Sequence, residues 1–208
     1  ITINSLLTDK KILMIIIGIT GSIGMGKSTI AKMLMRLNIP VFDSDREVKY
    51  LLQNHSIVQK QICDIWPEVV LTQKSEQKIS KHLLSEKIFT NKKNRRILEK
   101  IIHPRVKERR NLFFKNVSKS FIVALDVPLL YETGGDKFCD DIFLAYTNEE
   151  TQKKRVLRRS GMTEEKLNLI KNAQWSNDKK RKKNPYLVTT SYGKVISFII
   201  IIRDLIKI

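Results

Sequence analysis

The sequence predicts an α/β protein in which a parallel β-sheet is flanked by helices, with a helical insert between its early and middle strands. Short, continuous apolar runs rich in β-branched residues are typical of buried parallel strands. These runs alternate along the chain with segments of helical spacing, and a glycine-rich loop follows the first of them. The chain has 208 residues, 42% of them hydrophobic and 29% charged. A chain of this kind can bury a core without disulfides or a structural metal.

The first predicted elements form the opening of a βαβ unit. Met14 to Thr20 is an apolar, β-branched run and predicts the first strand. Apolar residues recur at helical spacing from Lys27 to Leu37, and Val41-Phe42 begins a second strand just after a proline. Strand, glycine-rich loop, helix and strand therefore follow one another in the order of a βαβ unit.

Residues 46–117 differ from this pattern and predict the insert. They are polar, poor in glycine and helical in spacing, and we expect breaks at Pro67 and Pro104. The flanking segments, 14–45 and 118–208, then form the core. Residues 1–13 are predicted to be an extension ahead of the fold, with Met14 as the natural start.

The part of the chain after the insert returns to alternating strands and helices. Asn148 and Thr163 each precede a helical segment and are expected N-caps. The predicted strands are Phe121–Val127, Asp141–Tyr146 and Tyr186–Thr190, and the predicted helices are Thr147–Arg159, Thr163–Trp175 and 194–208.

A phosphate-binding motif gives the strongest functional signal. Gly21-Ser22-Ile23-Gly24-Met25-Gly26-Lys27-Ser28 matches the pattern GxxxxGK[ST], and it lies between a predicted strand and an amphipathic helix. Glycines let successive backbone N–H groups converge on phosphate oxygens, and the following helix presents its positive end to the anion. Lys27 then reaches the β- and γ-phosphates, and Ser28 offers a hydroxyl to Mg²⁺. The sequence therefore predicts binding of ATP with Mg²⁺.

Carboxylates follow two predicted strands, where ligands bind in open α/β sheets. Asp45, in Asp43-Ser44-Asp45, can take a proton from an attacking hydroxyl, although these residues also suit a helix N-cap. Asp126 ends a later strand and can organise Mg²⁺ through water, or serve as a turn residue.

Three arginines, Arg155, Arg158 and Arg159, lie on a predicted helix that leads into a charged segment. Planar guanidinium groups suit clamping of phosphate, but a solvated helix face would also place arginines here.

Composition argues against several other classes. The net charge of +18 suits a nucleic-acid binder, but the basic residues are spread along the chain and Lys179–Lys183 is the only compact run. The apolar stretches Ile12–Ile19 and Val195–Ile202 fall well short of the roughly 20 residues that span a bilayer. The two cysteines have no metal-ligand spacing, which fits a reducing cytosol. We therefore expect a cytoplasmic protein without nucleic-acid or membrane partners.

Taken together, these motifs resemble the dephospho-CoA kinase family from about Ile15 to Gly193. The His-Pro and Val-Pro-Leu-Leu-Tyr-Glu motifs are more specific than the phosphate loop, which many kinases share. The matching segments are Ile19–Thr29, Val41–Asp45, Arg96–Val106 around His103-Pro104, Asp126–Glu132, Gln152–Arg155 and Gln174.

The resemblance implies a P-loop NTPase fold with a helical acceptor-binding insert and a helical lid at about 155–185. It implies that ATP with Mg²⁺ is the phosphoryl donor and that the ribose 3′-hydroxyl of dephospho-CoA receives the γ-phosphate. In the absence of any signal for assembly, we expect a monomer. Asp45 would be the general base, Lys27 the phosphate anchor and Arg155 the lid arginine at ATP. The implied ATP-binding residues are Ser22, Ile23, Gly24, Met25, Gly26, Lys27, Ser28 and Thr29, and those implied at the acceptor are Asp45, Lys49, His103, Pro104, Leu129 and Glu132.

Two alternatives stay open at this point. Another nucleoside or nucleotide kinase of the same fold would differ only in its acceptor pocket. A basic P-loop protein that binds nucleic acid and uses ATP as a switch is the second, although only 7% of the residues are aromatic and could stack on bases.

Overall fold

The computed structural model describes residues 14–73, 76–89 and 91–208. The predicted extension over residues 1–13 lies outside the described residues. The chain forms two compact units, which we call the core unit (up to Phe42 and from Val117 onward) and the inserted unit (Asp43–Asn116). In chain order the elements are β1 (Ile15–Thr20), α1 (Lys27–Arg36), β2 (Val41–Asp43), α2 (Ser44–Asn54), α3 (Ser56–Ile65), β3 (Val70–Gln73), β4 (Glu76–Ile79), α4 (Lys81–Phe89), α5 (Lys92–Asn116), β5 (Ile122–Asp126), β6 (Asp141–Tyr146), α6 (Glu149–Leu157), α7 (Glu164–Asn172), α8 (Asn177–Arg181), β7 (Tyr186–Thr189) and α9 (Lys194–Leu205).

The core unit is built on a five-stranded sheet with strand order β2-β5-β1-β6-β7. Strand β1 lies at its centre and pairs in parallel with β5 and β6, with Ile17 opposite Ala124 and Gly18 opposite Ile142. This arrangement confirms the predicted parallel α/β sheet flanked by helices. Because the strands are parallel, the loops after β1, β5, β6 and β7 all emerge at the same edge of the sheet.

The apolar runs that predicted the strands form the core of this unit. Ile17, Ile19 and Phe143 are fully buried, and they pack against the inner face of α1 and against α9. On α1 the buried residues Ile30, Ala31, Met33 and Leu34 recur at helical spacing, as the sequence predicted. Asn148 and Thr163 accept hydrogen bonds from backbone N–H groups and cap α6 and α7, so both predicted caps are confirmed.

The inserted unit has its own buried cluster, formed by α2, α3, α4 and α5 around Leu51, Ile62 and Trp66. It also contains an antiparallel hairpin of β3 and β4, with Val70 opposite Ile79. The residue pattern over 46–117 had predicted helices alone and not this hairpin.

Pro104 does not break the inserted unit's last helix, and that expectation was wrong. It lies inside α5, a helix of 25 residues. A proline removes the bond to the carbonyl four residues earlier, here that of Lys100, and both Lys100 and Pro104 are exposed, so water can hydrate that carbonyl. Ile102 is buried beside the proline, which lets packing carry the helix through this position.

Among the described residues, no helix is long and apolar enough to cross a membrane.

Candidate active site

The phosphate loop connects β1 to α1 at the carboxyl edge of the sheet. Gly24 and Gly26 have φ angles of 78° and 98°, a conformation that glycine adopts without strain. A Cβ atom on Gly24 would lie 2.6 Å from the Cγ2 atom of Val156. Gly26 is the N-cap of α1, so the free N–H groups of the helix's first turn point into the loop. The loop therefore has the backbone geometry that a bound phosphate requires.

Lys27 and Asp126 meet at this edge of the sheet. The Lys27 Nζ atom lies 3.4 Å from the Asp126 Oδ1 atom, and their side chains are 16% and 8% exposed. Asp126 ends β5, next to β1, so strand pairing brings its carboxylate to the lysine of the loop. The pair therefore places the Lys27 ammonium group beside the loop and a carboxylate within 3.4 Å of that group.

The residues around the loop fit a magnesium ion that keeps most of its water ligands. Ser28 is exposed in the first turn of α1, and that turn contains no acidic side chain. The described residues contain no group of three His, Cys, Asp or Glu side chains that could enclose a metal ion. One hydroxyl and one nearby carboxylate suit Mg²⁺, which binds through few protein ligands and relies on substrate phosphates.

Arg155 extends from α6 to the loop and to the end of β7. Its guanidinium group donates to the Thr190 hydroxyl at 2.8 Å and to the Thr190 carbonyl at 2.6 Å, and it lies 3.5 Å from the Gly24 carbonyl. The Thr190 hydroxyl donates in turn to the Met25 carbonyl at 2.8 Å. Arg155 thus links α6 to the phosphate loop and to Thr190 through one hydroxyl and two backbone carbonyl groups.

Glu132 lies in a buried group of side chains beside the loop. One of its oxygens, Oε1, accepts the Trp175 N–H at 2.8 Å and lies 3.0 Å from the Nζ atom of Lys180. The Lys180 side chain is 0% exposed. Burial lowers the pKa of Lys180, Glu132 opposes that shift, and the charge of Lys27 adds to it. The ring of Tyr131 stacks on Trp175 with the ring centroids 6.0 Å apart.

Two predicted residues of the inserted unit lie on α2. The Asp43 carboxylate accepts the Arg46 N–H at 2.9 Å and caps the helix. Asp45 follows in the first turn with an exposed side chain, and Lys49 is exposed one turn later. Of the two carboxylates, Asp43 therefore serves as the cap and Asp45 does not.

Two more lie on α5. Pro104 lines an open groove of about 240 Å³ between α3 and α5, together with Gln61, Ile97 and Arg105. His103 is exposed and does not line this groove. In the core unit, Leu129 is half-buried, and its carbonyl accepts hydrogen bonds from Thr133.

Four further residues contact this site, and no role was predicted for them from the sequence. Gln174 accepts the Ile23 N–H at 3.1 Å, and Asn177 accepts the Ser22 hydroxyl at 2.9 Å. Gln152 donates to the Ile23 carbonyl at 2.7 Å, and the fourth residue is the buried Lys180. Gln152 and Gln174 belong to segments that carry the family resemblance, and this resemblance was the one sequence feature that could have indicated a role for them.

Comparisons with known proteins agree with this geometry. The family model for dephospho-CoA kinase matches residues 15–194. The chain is 35% identical over 182 residues to the dephospho-CoA kinase of Rhodopseudomonas palustris, covering 86% of this chain and 88% of that protein. It is 38% identical over 181 residues to the one of Rhodospirillum rubrum, covering 86% of this chain and 84% of that protein.

Solved structures show the same fold. A crystal structure of TT1252 from Thermus thermophilus superposes with a TM-score of 0.79 at 27% identity, covering 93% of this chain and 96% of that one. The dephospho-CoA kinase from Campylobacter jejuni superposes with a TM-score of 0.65 at 23% identity, covering 94% and 98%. With a P-loop at the edge of a five-stranded parallel sheet and a family match across most of its length, this chain belongs to the dephospho-CoA kinase family.

Proposed function

We propose that the protein transfers the γ-phosphate of ATP to the ribose 3′-hydroxyl of dephospho-CoA and so forms coenzyme A. The observation that carries this proposal is the family match over residues 15–194, which includes the phosphate loop and the motif from Asp126 to Glu132. Phosphoryl transfer needs positioning and charge stabilisation more than covalent chemistry, and loops, helix ends and cations supply both.

The phosphate loop would hold the ATP phosphates. The residues from Ser22 to Thr29 surround them with backbone N–H groups, and the Lys27 ammonium group neutralises charge on the β- and γ-phosphates. Ser28 and Asp126 would hold Mg²⁺, Asp126 through water. When bound, the ion neutralises charge that develops on the phosphate oxygens.

Asp45 would act as the general base on the acceptor hydroxyl. Its carboxylate is exposed, and Asp43 already caps α2, so Asp45 is available to accept a proton. Lys49, one turn further along the same helix, would contact the acceptor as a point charge. His103, Pro104, Leu129 and Glu132 remain the predicted acceptor-binding residues.

Residues of about 155–185 would form a lid that excludes water from the reacting phosphate, since water would otherwise compete with the acceptor hydroxyl. This segment contains α7 and α8 and begins at Arg155, which would contact ATP as the lid arginine.

We further propose that the enzyme acts as a cytoplasmic monomer.

ATP consumption by the purified protein with Mg²⁺ tests the function directly. Dephospho-CoA is offered as the acceptor, with adenosine, AMP and pantothenate as comparisons and the Lys27→Ala variant as the inactive control. Turnover with dephospho-CoA that yields coenzyme A supports the proposal. Turnover only with another acceptor would keep the kinase reaction and overturn the substrate, and no turnover with any of them would overturn the kinase reaction itself.

A further inference from the structure

The phosphate loop is held from outside by two side chains that bind the two peptide groups on either side of Ile23. The Ile23 N–H donates to the Oε1 atom of Gln174 at 3.1 Å, and the Ile23 carbonyl accepts from the Nε2 atom of Gln152 at 2.7 Å. Gln152 lies on α6 and is 2% exposed, so its position is set by packing. The Ser22–Ile23 and Ile23–Gly24 peptide planes therefore each have one side-chain partner, and the backbone on both sides of Ile23 has a defined orientation.

That orientation affects the part of the loop that faces phosphate. Gly24 follows Ile23 directly and has the positive φ that turns the chain toward α1. A rotation of either peptide group beside Ile23 therefore changes the direction of the N–H groups that follow it. The neighbouring Ser22 is fixed in a similar way, because its hydroxyl donates to Asn177, three residues after Gln174.

A buried ion pair holds Gln174 in place. Glu132 accepts the N–H of Trp175, the residue next to Gln174, at 2.8 Å, and the same oxygen lies 3.0 Å from the Lys180 Nζ atom. Lys180 is fully buried and Glu132 is 12% exposed, so water hydrates neither charge well. Each charge is therefore stabilised mainly by the other. Stacking of Trp175 on Tyr131 adds a second contact from this segment to the loop that follows β5.

We propose that Gln174 is a positioning residue for phosphoryl transfer: it holds the Ser22–Ile23 peptide of the phosphate loop, and the Glu132–Lys180 pair holds Gln174 in turn. The inference rests on the proposed function and adds to it a role for the segment from Gln174 to Lys180. This segment lies within the predicted lid, so the same residues that would exclude water also set the geometry of the loop. Displacements of about 1 Å at a catalytic site can cost about 100-fold in rate, so we expect the effect to be large.

Variants of Gln174 separate positioning from a purely structural role. Gln174→Ala removes the acceptor for the Ile23 N–H, and we expect kcat to fall about 10-fold to 100-fold while the KM for dephospho-CoA and the urea midpoint stay close to those of the wild type. Gln174→Glu keeps an oxygen at the same reach, and we expect its kcat at saturating ATP to lie within about 5-fold of the wild type. Equal kcat for Gln174→Ala and the wild type, or equal losses in both variants, would overturn the proposal.

The ion pair is tested by a double-variant cycle. Glu132→Gln leaves the Lys180 charge buried without its partner, and we expect a lower kcat and a lower urea midpoint. Adding Lys180→Met removes that charge, and we expect both properties to recover. Lys183→Met makes the same change at an exposed lysine of the same segment and should behave as the wild type. A midpoint that recovers without kcat would overturn the role of the ion pair in positioning Gln174.

The function and the inference fail in different ways. No coenzyme A formation by the wild type would overturn the proposed function. Equilibrium binding of ATP, followed by the fluorescence of Trp175 in a Trp66→Phe background, then still tests Gln174, because it needs no acceptor. We expect Gln174→Ala to bind ATP about 10-fold more weakly, in line with a loop whose N–H groups are no longer oriented. Unchanged ATP affinity together with unchanged kcat would overturn the inference while leaving the proposed function intact.

Discussion

Replacing Gly24 with alanine tests the geometry of the phosphate loop through two separate costs. The first cost is conformational, because φ at this residue is 78° and an L-residue with a Cβ atom is strained there by about 1–2 kcal/mol. The second is steric. The added methyl group would lie 2.6 Å from Val156 Cγ2 and 3.1 Å from the Gln152 carbonyl oxygen. Val156 is 0% exposed and has no room to move outward.

Overpacking of this kind costs about 1–3 kcal/mol, so Gly24→Ala should destabilise the core unit by about 2–5 kcal/mol in total. Gly161 provides the matched control, because its φ is 73° and nothing lies within 4 Å of its Cβ position. Gly161→Ala should therefore show the conformational cost alone, about 1–2 kcal/mol. The difference between the two variants measures the contact of the loop with α6.

Urea denaturation followed by Trp175 fluorescence, in a Trp66→Phe background, gives the free energy of unfolding of the core unit. The double variant Gly24→Ala/Val156→Ala should be more stable than the sum of its single changes predicts, because the smaller side chain makes room for the new methyl group. Equal destabilisation by Gly24→Ala and Gly161→Ala would refute the steric part of this reasoning. Strict additivity in the double variant would place the clash elsewhere than at Val156.

Three further variants test individual side chains. Asp45→Asn should lower kcat about 100-fold to 10,000-fold with ATP affinity unchanged, because it removes a proton acceptor, and near-normal turnover would exclude Asp45 as the base. Arg155→Lys should lower the free energy of unfolding by about 2 kcal/mol, because lysine cannot reproduce both bonds to Thr190; unchanged stability with a raised KM for ATP would instead make Arg155 a substrate contact only. Tyr131→Phe should be neutral or slightly stabilising at neutral pH, because the Tyr131 hydroxyl has no hydrogen-bond partner among the described residues. Burial raises the pKa of Tyr131 to about 12, whereas an unfolded tyrosine ionises near pH 10, so the folded state binds more protons in this window and its stability falls as pH rises. Urea titrations at about pH 8 and about pH 11 should then show the wild type losing about 1.4 kcal/mol relative to Tyr131→Phe, and parallel behaviour of the two proteins would contradict the raised pKa.

The strands and the phosphate loop could be predicted because their signals are local. A buried parallel strand must be apolar along its whole length, and Ile15–Thr20 is such a run. The loop needs glycines at fixed spacing for a backbone reason that does not depend on distant residues. Helix caps such as Asn148 are local in the same sense, since the side chain bonds to a backbone group three residues away.

The features that were missed depend on tertiary packing. The hairpin of β3 and β4 has a polar second strand, Glu76–Ile79, whose sequence does not alternate as an amphipathic strand would. Pro104 was expected to end a helix, but the packing of Ile102 beside it maintains α5. The bond from Ile23 to Gln174 joins residues 151 positions apart in sequence, and no local pattern predicts such a contact.

The chain connectivity of the two units has a consequence for the order in which the protein folds during synthesis. Strand β1 leaves the ribosome early, but its partner β5 starts at Ile122, after the whole inserted unit. The segment Asp43–Asn116 is continuous and has its own buried cluster, so we expect it to fold first, while β1 waits without a partner. Closing an unstructured loop of roughly 100 residues costs about 4 kcal/mol of chain entropy. An insert that is already compact shortens that loop, and the nascent chain can then complete its central sheet soon after β5 emerges.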